Sequence, residues 1–293
     1  MSKREKIAFL FPGQGHIPTV PPPTSEVGER LFKLAESSGV HLQEWLEKKC
    51  FDLLSVTAHA QPAIFIDSLA KAEGLCAKGL KPALVAGHSL GEYAAFATAG
   101  LFSPDDALPV VIKRGELMSH VNGAMAAIVK LPLEQVAAIC KPLAPHVVIA
   151  NYNSPMQAVI SGGQDALRTA MKTAERAGGR AIPLHVGGPF HSPLMAEAQA
   201  TLAPMIKNLS FASPSILVVS SVSGQVECRA STLKNLLLTQ ITACVRWIDV
   251  VENLIKEDVT VAIEVGPGNA LTSLGKRITS CIQFLEFEEA WHG

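Results

Sequence analysis

The chain has 293 residues, enough for two domains by the usual length prior or for one large α/β core. Its 25 Lys and Arg nearly balance its 26 Asp and Glu, and a net charge of -1 leaves no chain-wide basic field for nucleic acid or an anionic membrane. Hydrophobic residues at 48% against 17% charged exclude a disordered chain and supply a packed interior. No apolar run approaches the roughly 18 residues of a membrane span. The short apolar run before Pro12 cannot serve as a signal-peptide core, so a cytoplasmic protein is expected. The six scattered cysteines are expected to pack as reduced small hydrophobes, without a zinc site or redox pair.

In chain order, residues 6–11 read as a buried strand that ends at the turn Pro12-Gly13-Gln14-Gly15. A rigid Pro-rich stretch at 18–23 precedes a helix over 26–36 capped by Ser25, and helical spacing returns over 61–78. Residues 82–86 form a second buried strand, which runs into Gly87-His88-Ser89-Leu90-Gly91 and a helix over 92–99. Ser103-Pro104 starts another helix that reaches His120. From Met125 the elements shorten: strand 125–131, helix 133–143, strands 147–151 and 158–161, helix 166–177, strand 180–186. That β-α-β-β-α-β order predicts a ferredoxin-like domain at 125–190, inserted into a larger one made of 1–124 and 191–293. Helix 193–207, strand 215–221, helices 233–238 and 247–256, strand 259–265 and the turn Gly266-Pro267-Gly268 complete the larger part.

Gly-x-Ser-x-Gly at 87–91, between a strand and a helix, is a nucleophile-elbow pattern: a sharp turn lifts the Ser89 hydroxyl out of the fold. That hydroxyl needs a base. His88 is its neighbour, but adjacent residues at a tight turn point apart, which suits a packing or turn role at the substrate side. His191, in the loop at 187–193 where the chain re-enters the larger domain, is the better candidate. Arg114 has Val110, Val111, Leu117 and Met118 one turn away on either side, so it interrupts the inward stripe of its helix. A guanidinium there needs an anionic partner, either a substrate carboxylate or an internal acid. The Gln14 amide, between two glycines, can donate to a developing oxyanion with the Leu90 backbone N–H as second donor. By spacing alone Gln240 and Trp247 pass for ordinary helix residues.

The ordered set FPGQG at 11–15, QPA at 61–63, GHSLGEYAA at 87–95, KRGELM at 113–118, GAMAAI at 123–128, FHSPLM at 190–195 and EVGPGNALTSL at 264–274 resembles the malonyl-CoA:acyl carrier protein transacylases and the acyltransferase domains of polyketide synthases. The resemblance runs nearly end to end. It implies an α/β-hydrolase-like large domain with an inserted ferredoxin-like domain, malonyl-CoA and an acyl carrier protein as partners, and no metal or redox cofactor. Carried over residue by residue, it makes Ser89 the acylated nucleophile, His191 its base and acid, and Gln14 with the Leu90 amide the oxyanion hole. It makes Arg114 the partner of the malonyl carboxylate, and gives the Gln240 backbone carbonyl the place of a third triad member. Phe190 corresponds to the malonyl-selecting version of its motif, with His88 beside the substrate. The chain departs from the family pattern in the Pro-rich stretch at 18–23 and in Cys244, where proline is usual. The resemblance leaves an acyl hydrolase and a non-catalytic carrier-binding module as rival readings on the same scaffold.

Overall fold

The apolar run after Lys6 forms strand β1 (Ile7–Phe11), buried from its second residue onward. A computed structural model describes residues 5–18 and 25–293, so the Pro-rich stretch expected at 18–23 lies, Pro18 apart, outside the described residues. The other strands follow as β2 (Leu84–Gly87), β3 (Ala124–Val129), β4 (Val147–Ser154), β5 (Gln157–Gly162), β6 (Arg180–Pro183), β7 (Leu217–Val219), β8 (Val226–Glu227), β9 (Val261–Glu264) and β10 (Gln283–Leu285).

Six of them make one sheet in the order β10-β9-β1-β2-β7-β8, parallel except for the edge strand β8. Its central strands are apolar at nearly every position because both faces are covered. Phe9, Val85, Val218 and Ile263 face a layer built on helices Glu26–Ser37, Thr57–Ala77 and Pro104–Ser119. Ala8, Leu10, Ala86 and Val219 face Trp247, Val250 and Leu271, from helices Trp247–Lys256 and Ala270–Ile278. The loops after β1 and β2 leave the sheet at adjacent carboxyl ends, the place where open α/β sheets put their ligands.

The remaining four strands form an antiparallel sheet in the order β4-β5-β3-β6. Numbered within this segment the order is 2-3-1-4, the ferredoxin-like arrangement. Helices Leu133–Cys140 and Gln164–Arg176 cover one face around Ile128, Ile160 and Leu167. The opposite face turns Met125, Ala127 and Val159, with Phe190 at the end of the segment, toward Met118 and Ile241 of the larger part. Backbone bonds also join the two: Val245 N–H donates to the Ala150 carbonyl (2.8 Å), and Tyr152 N–H donates to the Val245 carbonyl (2.9 Å).

The long helix expected from residue 61 begins at Thr57 and holds Pro62 in its second turn; the missing N–H costs one bond within the stretch Ala60–Ala70, which is buried throughout. Helices Leu42–Glu47, Phe51–Ser55 and Phe287–His292, with β8 and β10, are too short for a clear period, and the helix Ala270–Ile278 is a further element beyond those expected. The strand expected over 180–186 ends at Pro183: Leu184 N–H still donates to the Met125 carbonyl (2.9 Å), but Val186 N–H then turns back to the Leu184 carbonyl (3.1 Å). All six cysteines are unpaired, but only Cys140 is buried, so the expectation that they pack as interior residues fails for the exposed Cys228 and Cys281. Among the described residues no helix is long and apolar enough to cross a membrane, and no group of three or more His, Cys, Asp or Glu could hold a metal ion.

Candidate active site

Gly87 ends β2 and helix Gly91–Thr98 begins only four positions later, which forces the tight turn that carries Ser89 at φ +53°. A Cβ at Gly91 would lie 2.0 Å from the Phe11 carbonyl oxygen, and one at Gly87 would lie 2.1 Å from the Glu92 nitrogen. Only glycine lets the elbow close against β1.

Opposite Ser89, the loop after Pro189 holds His191 at φ +57°, its backbone N–H donating to the Ile241 carbonyl (3.0 Å). The Nδ1 side of its ring meets two backbone carbonyls, Ala243 at 2.8 Å and Gln240 at 3.1 Å. With only acceptors there, Nδ1 carries the proton and Nε2 presents its lone pair to Ser89 Oγ, 2.7 Å away. Burial, followed by the nearby Arg114 charge, drives the imidazole pKa down to about 3.

A folded-state pKa depressed below the ordinary 6.5 favours the neutral ring in the native protein. Its contribution to stability is therefore complete above pH 6.5 and is lost as pH falls from there toward 3. The kcat/KM profile for acyl transfer, which reports groups of the free protein, is expected to show no inflection near pH 6.5 and to hold its plateau below it, while urea stability declines over the same range. An acid limb centred at pH 6.5 would assign His191 an ordinary pKa.

Arg114 is 1% exposed, as its place in an apolar stripe predicts. Its Nη1 donates to Gln61 Oε1 (2.6 Å), and its Nη2 to Ser89 Oγ and Gln240 Oε1 (3.1 Å each). Its Cζ stands 5.7 Å from the Tyr93 ring centroid, and its Nε has no acceptor. Among the described residues no carboxylate forms an ion pair with it, so the internal-acid reading of Arg114 has no partner here. Burial first, opposed by Tyr93 and Glu92, lowers its pKa, yet a guanidinium stays charged at neutral pH.

Gln14 sits across from the elbow, and its side-chain amide donates to Thr57 Oγ1 (3.0 Å), which also accepts from Gly187 N–H (3.1 Å). The side-chain donor expected at an oxyanion thus has one hydrogen committed to Thr57. His88 is half-buried, with Nε2 3.0 Å from Asn153 Oδ1 and its ring edge-on to Trp247 at 5.4 Å. That is a packing position on the cavity wall, and burial lowers the ring's pKa.

The cavity between the two sheets has a volume of about 410 Å³ and is walled by Ser89, His191, Gln14, His88, Phe190 and Met125, among others. Arg114 stands behind this wall and reaches it at Ser89 Oγ. The structure therefore gathers the eight residues singled out in the sequence, Leu90 following Ser89 at the start of the helix. Residue type and spacing do not single out Gln61, the Ala243 carbonyl, Thr57, Asn153 or Glu92 as parts of the site. For Gln61 and Glu92 a signal existed, a polar side chain within an otherwise apolar helical run.

A nucleophile elbow facing a backbone-held histidine across a cleft between a parallel sheet and a ferredoxin-like sheet defines an α/β acyltransferase architecture. Comparison with known proteins agrees: the acyl transferase domain profile matches residues 29–280. The malonyl CoA-acyl carrier protein transacylase of Bacillus subtilis (strain 168) is 37% identical over 292 residues, which is 93% of this chain and 90% of that protein. The malonyl CoA-acyl carrier protein transacylase structure from Coxiella burnetii superposes with a TM-score of 0.91 at 31% identity, covering 98% of this chain and 95% of that one. A holo complex of a type II PKS acyl-carrier protein with its malonyl-transacylase also matches, at TM-score 0.88 and 33% identity, over 96% of this chain and 95% of that one. The chain belongs to the acyl transferase domain family.

Proposed function

We propose that the protein transfers a malonyl group from coenzyme A to the pantetheine thiol of an acyl carrier protein, through an ester on Ser89. His191 Nε2 takes the Ser89 proton as Oγ attacks the thioester carbonyl; the oxyanion rests on the N–H groups of Leu90 and Gln14; coenzyme A leaves with the proton. The carrier thiol then gives its proton to His191, attacks the seryl ester, and Ser89 departs reprotonated. Backbone carbonyls of Gln240 and Ala243 hold the imidazole tautomer, so no aspartate is required for that role. Each step is a proton transfer or an acyl exchange, and none calls for a metal or redox cofactor.

The observation that carries the malonyl assignment is the buried Arg114 guanidinium, which has no carboxylate partner among the described residues and touches Ser89 Oγ. The relatives' names point to the same acyl group and the same carrier. Phe190 and Met125 border the cavity on its apolar side. We read residues 125–190 as an inserted unit that supplies this side of the cleft, 1–124 and 191–293 as the unit that carries the chemistry, and the cytoplasm as the place of action.

Incubating the intact protein with a panel of acyl-CoAs and weighing it should give a malonyl adduct in preference to acetyl, and that adduct should discharge onto a holo acyl carrier protein. An acetyl adduct formed equally well would reject the acyl assignment. A malonyl adduct lost to water as fast as to carrier would favour a hydrolase.

A further inference from the structure

We propose that Glu92 is a positioning residue for acyl selection: its carboxylate fixes the orientation of the Gln240 side-chain amide, and that amide aims Arg114 at Ser89. The inference rests on the acyl-transfer reading above and adds the device that holds the arginine.

Glu92 is fully buried in a helix whose other buried residues, Gly91, Tyr93, Ala94, Ala95 and Phe96, carry no charge. Its neighbours are all donors. Ser220 Oγ–H and Ser221 N–H reach Oε1 (2.8 Å each), and Gln240 Nε2–H reaches Oε2 (2.6 Å). Burial pushes the carboxyl above the usual range, and these donors oppose it. A shell of donors without an acceptor matches a carboxylate.

The consequence lies at Gln240. Its amide nitrogen donates to Glu92 Oε2 and also to the Ser89 carbonyl (2.8 Å), which uses both hydrogens. The amide oxygen is left facing Arg114 Nη2 at 3.1 Å. A primary amide is nearly symmetric in shape, so only its hydrogen bonds decide which end points where. Turned over, it would set an NH2 against the guanidinium and an oxygen against both the Ser89 carbonyl and the Glu92 carboxylate. Each of the contacts now made would become repulsive. Glu92 thereby acts on the arginine without bordering the cavity.

A neutral amide at position 92 can present either end, so Glu92→Gln removes the lock at almost constant volume. Glu92→Gln is expected to lower kcat/KM for malonyl-CoA by about 10- to 100-fold, chiefly through KM, as the loss of a charged hydrogen bond implies, and to change that for acetyl-CoA by less than about threefold. Gln240→Met should lower the malonyl-to-acetyl ratio in the same direction, and Glu92→Gln combined with it should be no worse than Gln240→Met alone. A parallel fall for both substrates, or an additive double variant, would reduce Glu92 to a brace and overturn the proposal. Should Glu92→Gln not fold, Glu92→Asp, which withdraws the carboxylate by one methylene, takes its place: a lowered ratio supports the proposal and an unchanged one overturns it. Wild-type protein run in parallel keeps the two readings apart. If it takes no malonyl group the acyl-transfer reading has failed, whereas a malonylated wild type with an unchanged variant ratio rejects Glu92 alone.

Discussion

Ser89→Ala is expected to abolish the malonyl adduct and to lower turnover on the order of 10⁴-fold or more, the scale on which loss of a serine nucleophile acts in triad enzymes. The hydroxyl lies 2.7 Å from His191 Nε2 and 3.1 Å from Arg114 Nη2. The fold should survive, because the elbow is held by its glycines and by the Ser89 carbonyl, which accepts from Gln240 and from Glu92 N–H, and not by the side chain. Intact-mass measurement after incubation with malonyl-CoA, together with circular dichroism of the variant, checks both halves. A full adduct on folded Ser89→Ala would place the acyl group elsewhere.

The elbow was legible because its whole geometry is local. Gly87, Ser89 and Gly91 fall within one turn, and the strand and helix around them show their own periods. Arg114 was legible for a related reason: a charge on the inward stripe of a helix stands out against Val110, Val111 and Met118. The ferredoxin-like order could likewise be read, since its strands and helices follow one another without long crossovers. The partners of these groups were not legible, because they come from far along the chain. Gln61 lies 53 positions from Arg114, and the Ala243 carbonyl lies 52 from His191. A backbone carbonyl has no residue type to betray it. By spacing alone Gln240 passed for a helix residue, yet it sits just past the end of helix Ala230–Thr239, fully buried, and touches Ser89, Glu92, His191 and Arg114. Gln14 shows the converse, a residue the turn makes visible but whose side-chain direction depends on Thr57, a contact 43 positions away.

Arg114→Ala is expected to move two substrates in opposite directions. In the unacylated protein the guanidinium rests on neutral oxygens of Gln61, Gln240 and Ser89, and its Nε has none. A malonyl group on Ser89 would bring its carboxylate, two carbons from the ester carbonyl, to the nitrogen that already touches Oγ. Exchanging a neutral acceptor for a charged one in a buried site strengthens the contact, and a planar fork matches a carboxylate. Removing the guanidinium should cost malonyl transfer about 2 to 5 kcal/mol, the usual penalty for breaking a buried charged contact, while acetyl transfer, relieved of a buried cation with no counter-charge, should rise. Arg114→Lys should recover only part of the loss, because an ammonium cannot reach Gln61, Gln240 and a carboxylate with one fixed fork. A purely structural arginine predicts otherwise: both substrates would decline together, and the melting temperature would fall with them. Measuring kcat/KM for malonyl-CoA and acetyl-CoA on Arg114→Ala, beside its thermal unfolding, separates the two. An unchanged malonyl-to-acetyl ratio would sink the carboxylate contact, and with it the observation that assigns the acyl group.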